Sequence, residues 1–196
     1  MTVTRRTGRE GYLLGALLLP MVVLCLTPAR GAAGVIGNGQ GFGDLKWGDT
    51  VQQAMRVYTD LHFEGYRIVN EKEAPFRAYV RERASDSVDG VKFDSLEYWF
   101  RGERFVGIRA VLNSRIGPRT LVTEAERSYD SLADRIRRAY GAPSQRTVKY
   151  VTEYLAVIKA MSWDTRGVTI RLKYNGAERG DVDRLTFEMG KKGEAP

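Results

Sequence analysis

Between Val168 and Tyr174, apolar and polar side chains alternate without a break: Val168, Ile170, Leu172 and Tyr174 are separated by Thr169, Arg171 and Lys173. A period of two belongs to a β-strand with one buried and one wet face, and it excludes an amphipathic helix over the same stretch. The pattern recurs at Leu96, Tyr98 and Phe100, with Glu97 and Trp99 between them, at Phe76, Ala78 and Val80, and at Tyr66 and Ile68. Further strand-like runs span Phe105 to Leu112, Val148 to Tyr154, Val157 to Trp163 and Leu185 to Met189, and Arg101-Gly102-Glu103-Arg104 reads as a hairpin turn. A polar, mobile loop is expected from Arg83 to Gly90. So many half-wet strands must form an antiparallel sheet with one face covered.

Two helices are predicted to supply the cover. One runs from about residue 50 to 60, with Thr50 at its start, Gln53 placed for a capping box, and Val51, Ala54, Met55 and Tyr58 at helical spacing. The other is marked by Leu121, Ala125, Tyr129, Leu132, Ile136 and Tyr140, recurring at three- and four-residue steps. Thr120 or Thr123 can cap it, Glu126 completes a possible capping box with Thr123, and Gly141 with Pro143 ends it. The expected fold class is therefore α+β, a pseudo-repeat of one helix plus about four antiparallel strands. Its halves would be residues 42–115 and 116–190, with both helices packed on one face of the sheet and a polar tail at 191–196.

The N-terminus has a different character. Arg5, Arg6 and Arg9 precede a stretch from Gly11 to Ala29 without a charged side chain, in the basic-then-apolar order of a secretory signal peptide. The dense apolar core, Tyr12 to Leu26, is shorter than the ~20 residues that cross a bilayer, and Pro20 interrupts it. Residues 1–33 are read as a signal peptide, with small residues suiting cleavage after Ala29, Gly31 or Ala33, and residues 34–41 as a glycine-rich, flexible leader. Cys25, the only cysteine, follows Leu24 where a lipobox needs a small side chain, and Arg5-Arg6 lacks the hydrophobic residues that follow a twin-arginine pair. Removal of this segment takes away Arg5, Arg6, Arg9, Arg30 and Glu10, which lowers the formal charge from +7 by three. The exported domain is then only mildly basic and holds no thiol, so its stability must come from a packed core. The periplasm is the expected compartment, with retention of the segment as a membrane anchor the alternative. No nucleic-acid partner is expected.

Leu45-Lys46-Trp47-Gly48-Asp49-Thr50 leading into a helix, a hairpin centred on Arg101-Gly102, and a helix closing with Tyr140-Gly141-Ala142-Pro143 resemble a loose class of uncharacterised exported bacterial α+β proteins. The resemblance covers most of residues 42 to 189 and implies a fold and a location. More remotely, a glycine before one helix and Gly-x-Pro after the other are similar to the small outer-membrane-assembly lipoproteins and to the β-lactamase-inhibitor protein. The helix-and-sheet units of both act by binding other proteins. No functional residue follows from either likeness.

Few residues suggest chemistry. His62 is the only histidine and lacks a nearby nucleophile turn or metal-ligand spacing. Asp94 and Glu97 are a formal acid–base pair, but alternation accounts for Glu97 as a solvent-facing strand residue. Asn175 to Asp183 carries oxygen ligands and glycines without the order of a calcium loop and reads as a long hairpin turn. Gly37, Gly39, Gly41 and Gly43 lack the strand–loop–helix context of a phosphate cradle. No cofactor, metal or catalytic residue is expected.

Binding is the remaining reading. Arg127, Arg135, Arg137 and Arg138 give the second helix a basic surface, opposed by Asp130 and Asp134 at pairing distance along the helix. Among the aromatic residues, Trp99 is the leading surface candidate because Tyr98 and Phe100 point to the opposite face; Trp47 and Trp163 are the others. The expected function is a non-catalytic module that binds another envelope protein through Trp99, Trp47, Trp163, Arg127, Arg135 and Arg138. The alternative is a small-ligand or polysaccharide binder or hydrolase, with a cleft between the halves lined by Trp47, Trp163 and carboxylates.

Overall fold

The computed structural model describes residues 33–34, 39–82, 87–115, 122–151, 156–165, 167–177 and 182–194. Apart from Ala33, the expected signal segment lies outside them, as do Thr120 and Leu121. The first half of the chain contains β1 (Ala33–Gly34), β2 (Gly41–Phe42), β3 (Leu45–Lys46), α1 (Val51–Val57), β4 (Leu61–Arg67), β5 (Phe76–Arg81), β6 (Ser87–Val88), β7 (Val91–Lys92), β8 (Ser95–Arg101) and β9 (Arg104–Arg115). The second contains α2 (Glu124–Tyr140), β10 (Gln145–Val151), β11 (Ala156–Asp164), β12 (Val168–Ala177) and β13 (Val182–Lys191). The protein is α+β with sheet dominant.

Eight strands form one antiparallel sheet in the order β10-β11-β12-β13-β9-β8-β5-β4. At its centre β13 pairs with β9, from Val182↔Arg115 to Gly190↔Gly107. A register shift between Trp99 and Phe100 in the β8–β9 pair leaves Val106 as an extra residue, an irregularity that bends the strand.

The first helix is shorter than the sequence predicts, while the second keeps one of its two expected caps and its expected end. Thr50 caps α1 in a complete capping box with Gln53. The helix stops at Val57 because Tyr58 turns extended, buries its ring, and accepts a hydrogen bond from Asp44 N on its hydroxyl at 3.0 Å. Thr123 caps α2, accepting from Glu126 N, but the Glu126 carboxylate accepts from Lys159 Nζ at 2.7 Å. An ion pair to the sheet thus takes the place of the reciprocal half of the expected box. Gly141, with φ of 83°, ends α2 in a backbone region that favours glycine.

One large apolar cluster lies between the helices and one sheet face. Val51 and Ala54 of α1 and Tyr129, Leu132 and Ile136 of α2 join Tyr98, Ile108, Leu172 and Phe187 of the strands. Each such large side chain contributes about 1.5–3 kcal/mol by leaving water. A polar lock fixes the start of α2 over the sheet: buried Asp183 accepts from Thr123 Oγ1 at 2.6 Å and Tyr174 Oη at 2.7 Å. Ser114 Oγ accepts from Ala125 N at 2.9 Å.

The expected mobile loop is corrected in part. Ser87–Val88 pairs with Val91–Lys92 across a turn in which Asp89 and Gly90 both have positive φ, and Val88 is fully buried. Asp-Gly supplies the two left-handed residues that a tight hairpin needs. Residues 83–86 lie outside the described residues. The pairing of β12 with β13 ends at Asn175↔Arg184, as the long turn expected between Asn175 and Asp183 requires; β12 runs on to Ala177 by pairing with β11, and β13 starts at Val182 by pairing with β9.

Candidate functional site

The sheet face opposite the helices carries the polar members of the alternating strands. Cross-strand pairing builds a charged row along it, Ser162–Arg171–Glu188–Arg109–Glu97, drawn from β11, β12, β13, β9 and β8. Beside that row Lys173 is paired with Thr186, and Arg184 with Asn175. Register places these side chains together, since each pair is a directly opposed position on one face.

Apart from Glu97, the row and its flank line a depression of about 540 Å3, with Arg109, Arg171, Lys173 and Arg184 as its cations and Glu188 as its carboxylate. Arg184 Nε donates to Asn113 Oδ1 at 3.1 Å, a neutral partner. Arg109 Nε stands 3.5 Å from Glu188 Oε1. Burial pushes the Glu188 carboxyl above its ordinary pKa, and the neighbouring cations Arg109, Arg171 and Lys173 oppose that shift. Arg109 Nε and Asn175 Oδ1 are buried without a hydrogen-bond partner among the described residues. No aromatic ring lines the depression, so a ligand there is held by charge and hydrogen bonds. Arg171 also borders a second depression, of about 380 Å3, with Arg101 and Glu73.

The other end of the same face is closed by its own partners. Trp99, Phe76, Ala78 and Val106 form a small second core. The Trp99 and Phe76 rings lie 5.3 Å apart, with Arg101 over Phe76 and Arg109 over Trp99. Glu97 accepts from Trp99 Nε1 at 2.7 Å and from Arg67 Nη2 at 2.6 Å, and Arg101 Nη2 donates to Glu73 at 2.7 Å.

The residues expected to form a binding surface are scattered. Trp99 does lie on the face opposite Tyr98 and Phe100, but at 1% exposure it offers no surface, because it packs with Phe76, Ala78 and Val106 under Arg109. Trp163 is equally buried, with Nε1 donating to Gly141 O at 3.1 Å. Trp47 stacks on Phe105 and donates from Nε1 to Gly39 O at 2.8 Å, which fixes part of the glycine-rich leader. None of the three tryptophans lines the basic depression.

On α2, Arg135 Nη1 donates to Asp89 O at 2.6 Å and holds the β6–β7 hairpin, while Arg137 pairs with Asp134. Arg127 and Arg138 are exposed. His62 lies on edge strand β4, 3.9 Å from Glu82, and Asp94 accepts from Asn113 N and Nδ2. Among the described residues no three of His, Cys, Asp and Glu converge as a metal site, and no helix is long and apolar enough to cross a membrane.

Sequence reasoning passed over Arg109, Arg171, Lys173, Arg184 and Glu188, the residues that make the depression. Their signal was the wet half of the alternation, where a solvated strand face holds four basic side chains on three strands. No family model, curated protein or solved structure matches this chain.

Proposed function

We propose that this chain is an exported, non-catalytic binding module of the cell envelope, delivered to the periplasm by residues 1–33, and that its open sheet face takes an acidic segment of another envelope protein. The observation that carries the reading is the excess of cations in the depression: Arg109, Arg171, Lys173 and Arg184 against Glu188. Guanidinium groups fixed on strands are pre-organised donors for carboxylates, and complementary charge directs both encounter and register. The arrangement also supports a pseudo-repeat of residues 42–115 and 116–190. In each half a helix precedes four sheet strands, and the last of those strands stands at the centre of the sheet.

The volume of the depression also suits a small anionic ligand or an acidic polysaccharide, which is the second reading. A titration separates the two. The protein should bind an acidic peptide and release it as salt rises, and Arg171→Gln with Arg184→Gln should weaken binding about tenfold or more, as loss of charge-assisted contacts requires. Binding of an acidic polysaccharide without the peptide would favour the second reading. Indifference of peptide binding to both substitutions would remove the depression from the proposal.

A further inference from the structure

The sheet has two edges, and they differ. At one, β4 carries a register shift between Phe63 and Gly65, a bulge that spoils the edge for further pairing. At the other, β10 pairs with β11 over seven consecutive residues without interruption. Among the described strands nothing pairs with its outer side. Its residues are exposed up to Tyr150, and Val148 and Tyr150 stand 44% and 76% exposed. Pairing places Arg146, Val148 and Tyr150 on one face of the strand, opposite Met161, Lys159 and Val157.

We propose that β10 is the docking edge for a second copy of this chain, the two Gln145–Val151 strands pairing antiparallel about an axis through Val148. The sequence of the edge is compatible with that occupant and favours that register, since centring on Thr147 would pair only Gln145–Lys149. With Val148 opposite itself, Thr147 faces Lys149, Arg146 faces Tyr150 and Gln145 faces Val151, so all seven residues pair and no like charges oppose. Arginine beside a tyrosine ring and valine beside valine are favourable cross-strand neighbours. Centring on Arg146 or on Lys149 sets a cation against its own copy. Because Gln145 and Thr147 border the basic depression, the two depressions would meet across the axis in one sheet. The inference does not depend on what the depression binds.

Sedimentation equilibrium and disulfide trapping test the proposal on the purified protein with Cys25→Ser, so that an introduced thiol is the only one. The expected results are a concentration-dependent mass of two chains and ready oxidation of Val148→Cys to a covalent dimer. Thr147→Cys alone should dimerise without forming a covalent cross-link, because Lys149 faces it, while Thr147→Cys together with Lys149→Cys should cross-link. Val148→Glu, at a site already exposed, should weaken the dimer about tenfold with an unchanged circular dichroism spectrum, since like charges would then oppose on the axis. A single-chain mass throughout the concentration range overturns the proposal. So does a dimer that Val148→Cys fails to trap.

Discussion

Replacing Trp99 by alanine separates a surface aromatic from a core one. The ring is 1% exposed, its centroid lies 5.3 Å from that of Phe76, and its Nε1 donates to Glu97 at 2.7 Å. Truncating a buried tryptophan to alanine costs about 3–5 kcal/mol through lost transfer energy and the cavity left behind. The aromatic pair with Phe76 adds about 0.5–1.5 kcal/mol beyond its area. Glu97 keeps Arg67 as a donor, so removal of the indole does not strand the carboxylate. A total near 5 kcal/mol lowers the melting temperature of a domain this size by roughly 10–20 °C. Trp99→Phe keeps most of the apolar volume and loses the hydrogen bond to Glu97, at about 1.5–3 kcal/mol. Urea unfolding followed by far-UV circular dichroism measures both variants, with the slope checked for two-state behaviour. A loss below about 1 kcal/mol for Trp99→Ala would place the ring on the surface and refute the second core, since substitutions away from buried features fall near ±0.5 kcal/mol.

The polar lock predicts an order: Asp183→Ala strands the Thr123 and Tyr174 hydroxyls beneath α2 and should cost about 3 kcal/mol, while Tyr174→Phe removes one bond and should cost about 1–2 kcal/mol. Equal losses in denaturant titrations would mean that the carboxylate does not organise the helix start. Glu188 gives a pH signature. Burial raises its folded pKa above the unfolded value of about 4.3, so its contribution to stability is complete below that pH and is lost as pH rises through the folded value. Glu188→Gln should therefore gain in stability relative to the parent between about pH 4 and pH 8, and the opposite slope in paired melting curves would reject burial as the dominant cause. Thr50→Ala should destabilise by about 1 kcal/mol through loss of the α1 cap, checked by the same titrations; no change would mean that the cap adds nothing to stability.

Local rules made much of the fold legible. The alternation from Val168 to Tyr174 is a strand with one face wholly buried, and Thr50, Thr123 and Gly141 act at helix ends where their chemistry places them. Asp89-Gly90 carried a hairpin signal that the polarity of its surroundings obscured, and buried Val88 follows from it. The depression was harder to read because it belongs to no single segment. Arg109, Arg171 and Glu188 come from three strands, and only the pairing register makes them neighbours. Trp99 shows the same limit: alternation gives its face, but its packing with Phe76, Ala78 and Val106 under Arg109 is a long-range outcome that determines its burial.

The meeting of β9 and β13 at the middle of the sheet bears on how the chain reaches this state. The strand that completes the centre is the last in chain order, and its partner lies before α2 and three other strands. Neither half can bury its inner edge until that late segment arrives, so the closing contacts span a long loop and folding should be slow and sharply cooperative. During synthesis the earlier strands wait with an unpaired border. Such a chain stays without its central pairing until Val182–Lys191 is available, and truncation within that strand should abolish folding of the whole sheet instead of trimming one edge.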